Sequence, residues 1–161
     1  MPDTARDGEQ TLPFDPASAP HAPVTFIGRV SSPWSRGNCP KNVRAARERG
    51  EPAKLLIDAA YRPGLQGLSP SSFIIAIYWM AEARRDIIVQ RPGHVEGPRG
   101  VFSLRSPVRP NSIAQACVQI TAIDAALGVI EIDAMDCFDG TPLLDIKPWI
   151  ATVDQPPADM G

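Results

Sequence analysis

The most apolar stretch of the chain, FIIAIYWM at Phe73 to Met80, decides the fold class. Its eight residues are rich in β-branched and aromatic side chains, which is typical of a buried strand. Further short apolar or alternating segments lie on both sides of it: Val24–Val30, Lys54–Ala59, Asp86–Gln90, Gly100–Leu104, Ser112–Ile123, Val129–Met135 and Leu143–Ile150. About eight short strands separated by Gly and Pro turns predict an all-β protein, either an antiparallel barrel or a sandwich.

The segments between the predicted strands are loops, and one of them is long. Trp34 to Pro52 is polar and basic, and it is predicted to form a loop with one helical turn at Val43 to Arg49. The 18 prolines in 161 residues argue against a bundle of long helices. The chain is predicted to contain a flexible N-terminal extension at residues 1–22, one β domain at residues 23–151 and a tail at residues 152–161.

Residues that commonly hold metals or act as nucleophiles are few. The cysteines Cys39, Cys117 and Cys137 form no Cys-x-x-Cys pair, so neither a metal site nor a disulfide framework is expected. The histidines are His21 and His94, and His94 is expected to be an exposed loop residue. The chain also lacks GxGxxG and GxxxxGK[ST], which argues against a Rossmann or P-loop nucleotide site.

Targeting and membrane signals are also missing from the sequence. No apolar run approaches the roughly 20 residues that a membrane-spanning helix needs. The N-terminus carries acids and prolines where a signal peptide has a basic region followed by an apolar one. We therefore expect a cytoplasmic protein with no membrane partner.

The net charge of −2 conceals an uneven distribution along the chain. Residues 1–28 carry a net charge of −3, residues 29–109 carry +8, and residues 110–161 carry −7. This separation favours one surface that meets a polyanion such as RNA and another that repels it. Alternatively, the basic and acidic segments interleave in the folded protein and cancel each other.

The segment RGVFSLRSPVRPN, Arg99 to Asn111, concentrates features of a ligand-binding loop. Arg105 and Arg109 lie four residues apart, and Pro107 and Pro110 stiffen the backbone around them. Two guanidinium groups on a rigid loop suit a carboxylate or a phosphate. The alternative is a structural loop whose arginines pair with acids of the C-terminal segment.

The segment DGTPLLDIKPW, Asp139 to Trp149, is the second candidate. Asp-Gly starts a tight turn and Thr-Pro stiffens it, so the carboxylate of Asp139 could bind a hydroxyl or amino group of a ligand. Asp145 and Lys147 project from the same face of an extended chain because they are two residues apart. The alternative is a hairpin turn with a surface ion pair, which contributes little.

Taken together, these two segments resemble the TsaA-like family, which includes TrmO-type tRNA methyltransferases. The first family motif is matched by Gly100, Phe102, Arg105, Ser106, Pro107, Arg109, Pro110, Asn111 and Ile113. The second is matched by Asp139, Gly140, Thr141, Pro142, Asp145, Ile146, Lys147, Pro148 and Trp149. Weaker matches lie at Ile27–Gly28, at Ser32–Trp34 and at Gly64–Leu68, so the resemblance covers about residues 24–150.

The resemblance implies a small antiparallel β-barrel that is not a Rossmann fold, a homodimer, and S-adenosylmethionine as the cofactor. It implies methyl transfer to the exocyclic nitrogen of threonylcarbamoyl-adenosine in tRNA, which makes tRNA the expected substrate. The implied cofactor contacts are Pro40, Lys41, Asn42, Arg105, Ile113, Asp139, Gly140, Thr141 and Pro142. The implied substrate contacts are Arg109, Asn111 and Lys147. Removal of the nitrogen's proton needs a base, and Asp139 and Asp145 are the candidates. Phe102 and Pro107 are expected to bury the stem of Arg105.

The sequence departs from the family pattern at three places. Ser112–Ala116 replaces the family's Pro-Ile-Gly segment, and Phe73 and Ala81 replace histidines. Two alternatives therefore stay open. The chain could methylate a different small molecule or nucleoside, or it could bind S-adenosylmethionine without catalysis.

Overall fold

The structure of the chain, a computed structural model, describes residues 5–19 and 22–158. Within these residues it contains nine strands and two short α-helices: β1 (Gln10–Thr11), β2 (Gly28–Ser31), α1 (Val43–Arg49), β3 (Ala53–Ile57), β4 (Phe73–Trp79), β5 (Ile87–Gln90), β6 (Arg99–Gly100), β7 (Ile113–Asp124), β8 (Val129–Ile132), β9 (Pro142–Pro148) and α2 (Ala151–Asp154). The chain divides into two compact units. The described parts of Thr25–Tyr78 and Gln115–Gly161 form the large unit, and those of Met1–Val24 and Trp79–Ala114 form the small unit.

The large unit is built on strands paired in the order β7–β8–β3–β2–β9–β4, each of these pairings being antiparallel. Val30 of β2 lies opposite Leu55 of β3, and Leu55 in turn lies opposite Ile130 of β8. All three side chains are fully buried. Because successive side chains of a strand point to opposite faces, this register directs one continuous apolar face into the core.

The stretch FIIAIYWM forms β4, as predicted. Ile74, Ala76 and Tyr78 are buried, whereas the side chains between them are only half-buried. The strand therefore has the two-residue alternation of a sheet with one inward face rather than burial on both faces.

The predicted helical turn at Val43 to Arg49 is confirmed as α1. The Asn42 side chain accepts a hydrogen bond from the backbone N–H of Ala45 at 2.8 Å and caps its first turn. Gly50 ends the helix with φ of 69°, a left-handed conformation that favours glycine. Ala46 is its buried residue.

Gly28 at the start of β2 allows a close approach between backbones. A Cβ atom at this position would lie 2.0 Å from the carbonyl oxygen of Leu56 in β3. Glycine is therefore required here by contact rather than by backbone angle.

The small unit contains a three-stranded antiparallel sheet in the order β1–β5–β6. Its β1 comes from the N-terminal stretch that the sequence predicts to be a flexible extension, and Gln10 lies opposite Val89 of β5. Residues 1–4 and 20–21 of that stretch, including His21, lie outside the described residues. The flexibility of the extension stays a prediction.

One predicted strand, Gly100 to Leu104, is wrong for most of its length. Gly100 pairs with β5 as part of β6, but the chain then turns into a 3-10 helix at Val101–Ser103. The Leu104 N–H donates to the Val101 carbonyl at 3.1 Å, and the Ser103 hydroxyl donates to the Gly100 carbonyl at 2.7 Å. These local bonds replace the ladder bonds that a strand would need.

The fold is thus predominantly β, with antiparallel sheets and few helices, and the predicted fold class is confirmed at that level. In the part of the chain that the structure describes, the helices are too short and too polar to cross a membrane.

Candidate functional site

The turn at Asp139–Pro142 is fixed by backbone hydrogen bonds to the β2 region of the large unit. The Asp139 N–H donates to the Trp34 carbonyl at 2.8 Å, and the Gly140 N–H donates to the Val30 carbonyl at 2.9 Å. The Val30 N–H donates back to the Thr141 carbonyl at 2.8 Å. Three backbone groups of the turn are therefore ordered before any ligand binds.

The side chains of the turn add to this order. Asp139 is exposed, and its Oδ1 accepts a hydrogen bond from the Ser32 N–H at 3.1 Å. The Thr141 hydroxyl donates to the Phe138 carbonyl at 2.7 Å. Gly140 has φ of 80° and no atom within 4 Å of a Cβ built on it, so the turn opens toward space that a ligand can occupy.

The segment that precedes the turn, Met135 to Cys137, accepts hydrogen bonds from side chains of the β2 region. The Ser32 hydroxyl donates to the Cys137 carbonyl at 2.6 Å, and the indole Nε1 of Trp34 donates to the Met135 carbonyl at 2.6 Å. Cys137 and Met135 are fully buried. Burial raises the pKa of the Cys137 thiol to about 12, so it is neutral and unreactive near pH 7.

Sequence analysis missed a hydroxyl–carboxylate pair that joins Tyr78 of β4 to Asp136, the residue before Cys137. The Tyr78 hydroxyl donates to Oδ1 of Asp136 at 2.5 Å. Burial, and secondarily the negative charge of Asp136, raises the pKa of Tyr78. Burial also raises the pKa of Cys39, and Asp136 adds to that shift. The sequence did offer a signal for these two residues. Asp136 lies three residues before the Asp-Gly turn, and Cys39 directly precedes the predicted cofactor residue Pro40.

The predicted cofactor residues Pro40, Lys41 and Asn42 precede α1 in the large unit. Pro40 is buried, and Lys41 and Asn42 are exposed. Because the side-chain oxygen of Asn42 already caps the helix, the side-chain nitrogen is the group left to contact a ligand. Arg49 supports this loop by lying over the Trp34 ring, 5.2 Å from its centroid, and by donating to the Asn38 carbonyl at 2.7 Å.

Asp145 and Lys147 form the surface ion pair that was the alternative interpretation of their spacing. The Lys147 ammonium lies 3.2 Å from Oδ2 of Asp145, and both side chains are more than half exposed. Oδ1 of Asp145 accepts a hydrogen bond from the Ile146 N–H at 2.9 Å. An exposed pair of this kind contributes little to stability, which leaves both groups able to change partners.

The remaining predicted residues belong to the small unit. Arg109 is half-buried, and its guanidinium donates to the carbonyls of Ser106 at 2.8 Å and Val101 at 2.9 Å, and also to that of Leu104. These acceptors are backbone oxygens of its own loop, so these bonds do not pair Arg109 with an acid of the C-terminal segment.

Arg105, Asn111 and Ile113 are exposed in the same unit. Phe102 was expected to bury the stem of Arg105, but 82% of its surface is exposed. That expectation is wrong for Phe102, because Arg105 and Phe102 are both exposed.

A metal centre finds no support in residues 5–19 and 22–158, where no group of three or more His, Cys, Asp or Glu side chains could hold a metal ion. The antiparallel β fold, with its Asp-Gly-Thr-Pro turn bonded to the β2 region, belongs to a class of β domain distinct from Rossmann and P-loop proteins. The chain belongs to the family described as the tRNA-methyltransferase O N-terminal domain, whose model matches residues 29–155. The resemblance seen in the sequence is thereby confirmed.

Related proteins agree with this family. The chain is 38% identical over 128 residues to the "Probable S-adenosyl-L-methionine-binding protein VirR" of Rhizobium radiobacter, covering 79% of this chain and 70% of the relative. It is 33% identical over 129 residues to a "Probable S-adenosyl-L-methionine-binding protein" of Methanothermobacter thermautotrophicus, covering 80% and 90%. A mouse "tRNA (adenine(37)-N6)-methyltransferase" is 42% identical, but over 41% of this chain and 15% of that protein.

Solved structures support the fold. TrmO from Pseudomonas aeruginosa matches with a TM-score of 0.63 and 23% identity, covering 84% of this chain and 58% of that one. A further TrmO crystal structure matches with a TM-score of 0.66 and 24% identity, covering 88% and 63%. The chain therefore spans less than two thirds of the length of these solved proteins.

Proposed function

We propose that this protein binds S-adenosylmethionine and transfers its methyl group to tRNA, at the exocyclic nitrogen of threonylcarbamoyl-adenosine. The observation that carries the proposal is the rigid, exposed turn at Asp139–Pro142 in a chain whose family model is that of a tRNA methyltransferase. Relatives named as S-adenosyl-L-methionine-binding proteins support the cofactor, and the mouse tRNA methyltransferase supports the substrate.

The turn suits this cofactor chemically. S-adenosylmethionine, when bound, supplies an electrophilic methyl group on a positively charged sulfur. The exposed Asp139 carboxylate lies at a turn already ordered by the Ser32 N–H, so it offers negative charge at little entropic cost. We assign the cofactor to Gly140, Thr141 and Pro142 beside it, and to Pro40, Lys41 and Asn42. The family resemblance also implies cofactor contacts at Arg105 and Ile113, which belong to the small unit.

When the nitrogen bonds to the methyl carbon, the carbon–sulfur bond breaks and its electron pair stays with the departing S-adenosylhomocysteine. A base must take the proton that the nitrogen loses. Asp145 suits this role, because its carboxylate is half-exposed and its Lys147 partner is an exposed surface cation. Asp139 is the other candidate, although its hydrogen bond to Ser32 also gives it a structural role. Lys147, Arg109 and Asn111 are the proposed substrate contacts.

A second function keeps the cofactor and changes the substrate. Phe73 stands where the family has histidine, and its ring is exposed and meets Trp149 edge-on, with 6.4 Å between ring centroids. An exposed aromatic pair in place of an imidazole favours a different nucleoside or small molecule as the methyl acceptor. Methylation of small molecules without methylation of tRNA would establish this alternative, and binding without turnover would indicate a non-catalytic module.

Three finer features belong to the proposal: a closed barrel, a homodimer and a cytoplasmic location. Closure is supported by the Ser71 N–H, which donates to the Ile120 carbonyl at 2.8 Å, and by the Ile120 N–H, which donates to the Ser72 carbonyl at 2.9 Å. A homodimer predicts a mass of about 35 kDa by light scattering, twice the 17.4 kDa of one chain. A mass near that of one chain would contradict it.

The experiment measures cofactor affinity by calorimetry and methyl transfer from labelled S-adenosylmethionine to tRNA that lacks the modification. We expect binding of S-adenosylmethionine, no comparable binding of ATP, and label in tRNA. Arg105→Ala should weaken cofactor binding about tenfold with little change in melting without ligand, because it removes a charge-assisted hydrogen bond.

Arg44→Ala is the matched control, since Arg44 is an exposed arginine of α1 that pairs with Glu48. It should leave cofactor affinity unchanged. Lower melting of Arg105→Ala with normal cofactor affinity would remove Arg105 from the site.

A further inference from the structure

Phe102 is the most exposed large apolar side chain in the described part of the protein, with 82% of its surface open to water. Its neighbour Val101 is fully buried, so the backbone of the turn is anchored while the ring projects outward. An aromatic ring held in water by a fixed backbone loses little conformational freedom when a flat ligand covers it.

The turn that carries Phe102 is held by one arginine. The Arg109 guanidinium donates to the carbonyls of Val101, Leu104 and Ser106, which lie on both sides of Phe102. The Ser103 hydroxyl closes the turn by donating to the Gly100 carbonyl at 2.7 Å. The backbone that carries Phe102 is thus ordered by the folded loop itself.

The charged residues that flank Phe102 in the sequence are arginines. No acidic residue occurs between Glu96 and Asp124, whereas this stretch contains three arginines. Arg99 donates to the Pro98 carbonyl at 2.9 Å, and Arg109 donates to carbonyls, so these bonds leave the arginine charges unneutralised. Elsewhere in the small unit, arginines do pair with acids, as in Arg84–Asp86.

We propose that Phe102 is a stacking platform for an unpaired nucleobase of the RNA substrate, with Arg99 contacting the adjacent phosphate. This inference rests on the proposed function and identifies the part of the substrate that the small unit recognises. A fixed exposed aromatic ring among cations is the arrangement that single-stranded nucleic acids bind, because every base has a face to stack and every nucleotide a charge to neutralise. Arginines precede and follow Phe102 in the sequence with no acid between them, which favours a nucleic acid over a second protein chain.

The test measures the dissociation constant for a tRNA anticodon stem-loop transcript by fluorescence anisotropy at several salt concentrations. Phe102→Ala should weaken binding about 5- to 100-fold, while Phe102→Trp should retain it. Phe102→Ala should not alter the slope of log affinity against log salt, because stacking releases no counterions. Arg99→Ala should reduce that slope by about 0.7, the value for one single-strand phosphate contact.

Two controls test specificity. Phe14→Ala removes another exposed aromatic ring of the small unit, 52% exposed, and should leave RNA affinity unchanged. A fully paired RNA duplex of equal length should bind the native protein and Phe102→Ala equally, because its bases are already stacked.

The outcomes separate this inference from the proposed function. Native protein that methylates tRNA, together with unchanged stem-loop affinity in Phe102→Ala, would overturn the inference alone. Native protein that neither binds nor methylates RNA would overturn both. A change in oligomeric mass, or a loss of S-adenosylmethionine affinity, in Phe102→Ala would assign the ring to a protein interface or to the cofactor and would also overturn the inference.

Discussion

Replacing Tyr78 by Phe should destabilise the protein through the loss of one hydrogen bond. The Tyr78 hydroxyl donates to the Asp136 carboxylate at 2.5 Å, and the tyrosine is 2% exposed. Phenylalanine keeps the ring and its packing, so the change removes the donor without opening a cavity. Asp136 is half-buried, so water can replace the lost donor only in part.

The expected magnitude follows from the charge of the acceptor. A hydrogen bond to a charged group contributes about 1.5–3 kcal/mol. With a urea dependence of roughly 2 kcal/mol per molar for a small protein, the unfolding midpoint should fall by about 1 M. The assay is urea unfolding at pH 7 with fluorescence and circular dichroism in parallel, so that two-state behaviour is checked in each variant.

Two further variants make this prediction refutable. Tyr61→Phe removes the hydroxyl of a tyrosine that is 40% exposed and should change stability by less than about 0.5 kcal/mol. Asp136→Asn combined with Tyr78→Phe should cost less than the sum of the single changes, because both remove the same interaction. If Tyr78→Phe is as stable as the native protein, or if the two changes are strictly additive, the bond does not stabilise the fold.

Three other predictions concern the core and the turn. Gly28→Ala should lower the free energy of unfolding by about 1–3 kcal/mol or more, because the new Cβ would lie 2.0 Å from a backbone oxygen. Gly64→Ala is the control: no atom lies within 4 Å of its Cβ, so urea unfolding should be nearly unchanged. The Cys137 thiol has a pKa near 9.0 in the unfolded chain and about 12 in the folded protein. Above about pH 9 the unfolded state therefore loses this proton first, and the free energy of unfolding should fall by up to about 1.4 kcal/mol per pH unit. Cys137→Ala should reduce that fall between pH 9 and 10 in reducing buffer, and an identical pH dependence would contradict the assignment. Asp139→Asn should still accept the hydrogen bond from the Ser32 N–H, so the melting temperature should stay nearly native. The affinity for S-adenosylmethionine, measured by calorimetry, should fall about tenfold. An unchanged affinity would show that the carboxylate charge does not contact the cofactor.

Much of the architecture could be predicted from local sequence signals. FIIAIYWM becomes β4, and the helical turn at Val43–Arg49 forms with Asn42 and Gly50 at its ends. These elements depend on hydrophobic periodicity, capping residues and turn residues, all of which act over a few positions. The prediction of a strand at Gly100–Leu104 was wrong, because hydrogen bonds from the Ser103 and Arg109 side chains to carbonyls of this segment favour a 3-10 turn.

The candidate site divides in the same way. The Asp-Gly-Thr-Pro motif predicts a tight turn at Asp139–Pro142. The spacing of Asp145 and Lys147 predicts that they share one face, and a surface ion pair was one of its two interpretations. Neither motif could reveal that Ser32, 107 positions away in the chain, supplies the N–H that Asp139 binds. That bond exists because β2 and β9 are neighbours in the sheet.

The sequence by itself therefore determined most of the strands, the helical turn at Val43–Arg49, the two stiff polar loops and the family. Only the tertiary structure decided that Tyr78 hydrogen-bonds to Asp136, 58 residues away in the chain. It also decided that Arg109 donates hydrogen bonds to carbonyls of its own loop and that Phe102 is exposed to water. The physical reason is that periodicity and turn chemistry are local, whereas the partner of a buried hydroxyl or guanidinium depends on which strands pair and in which register.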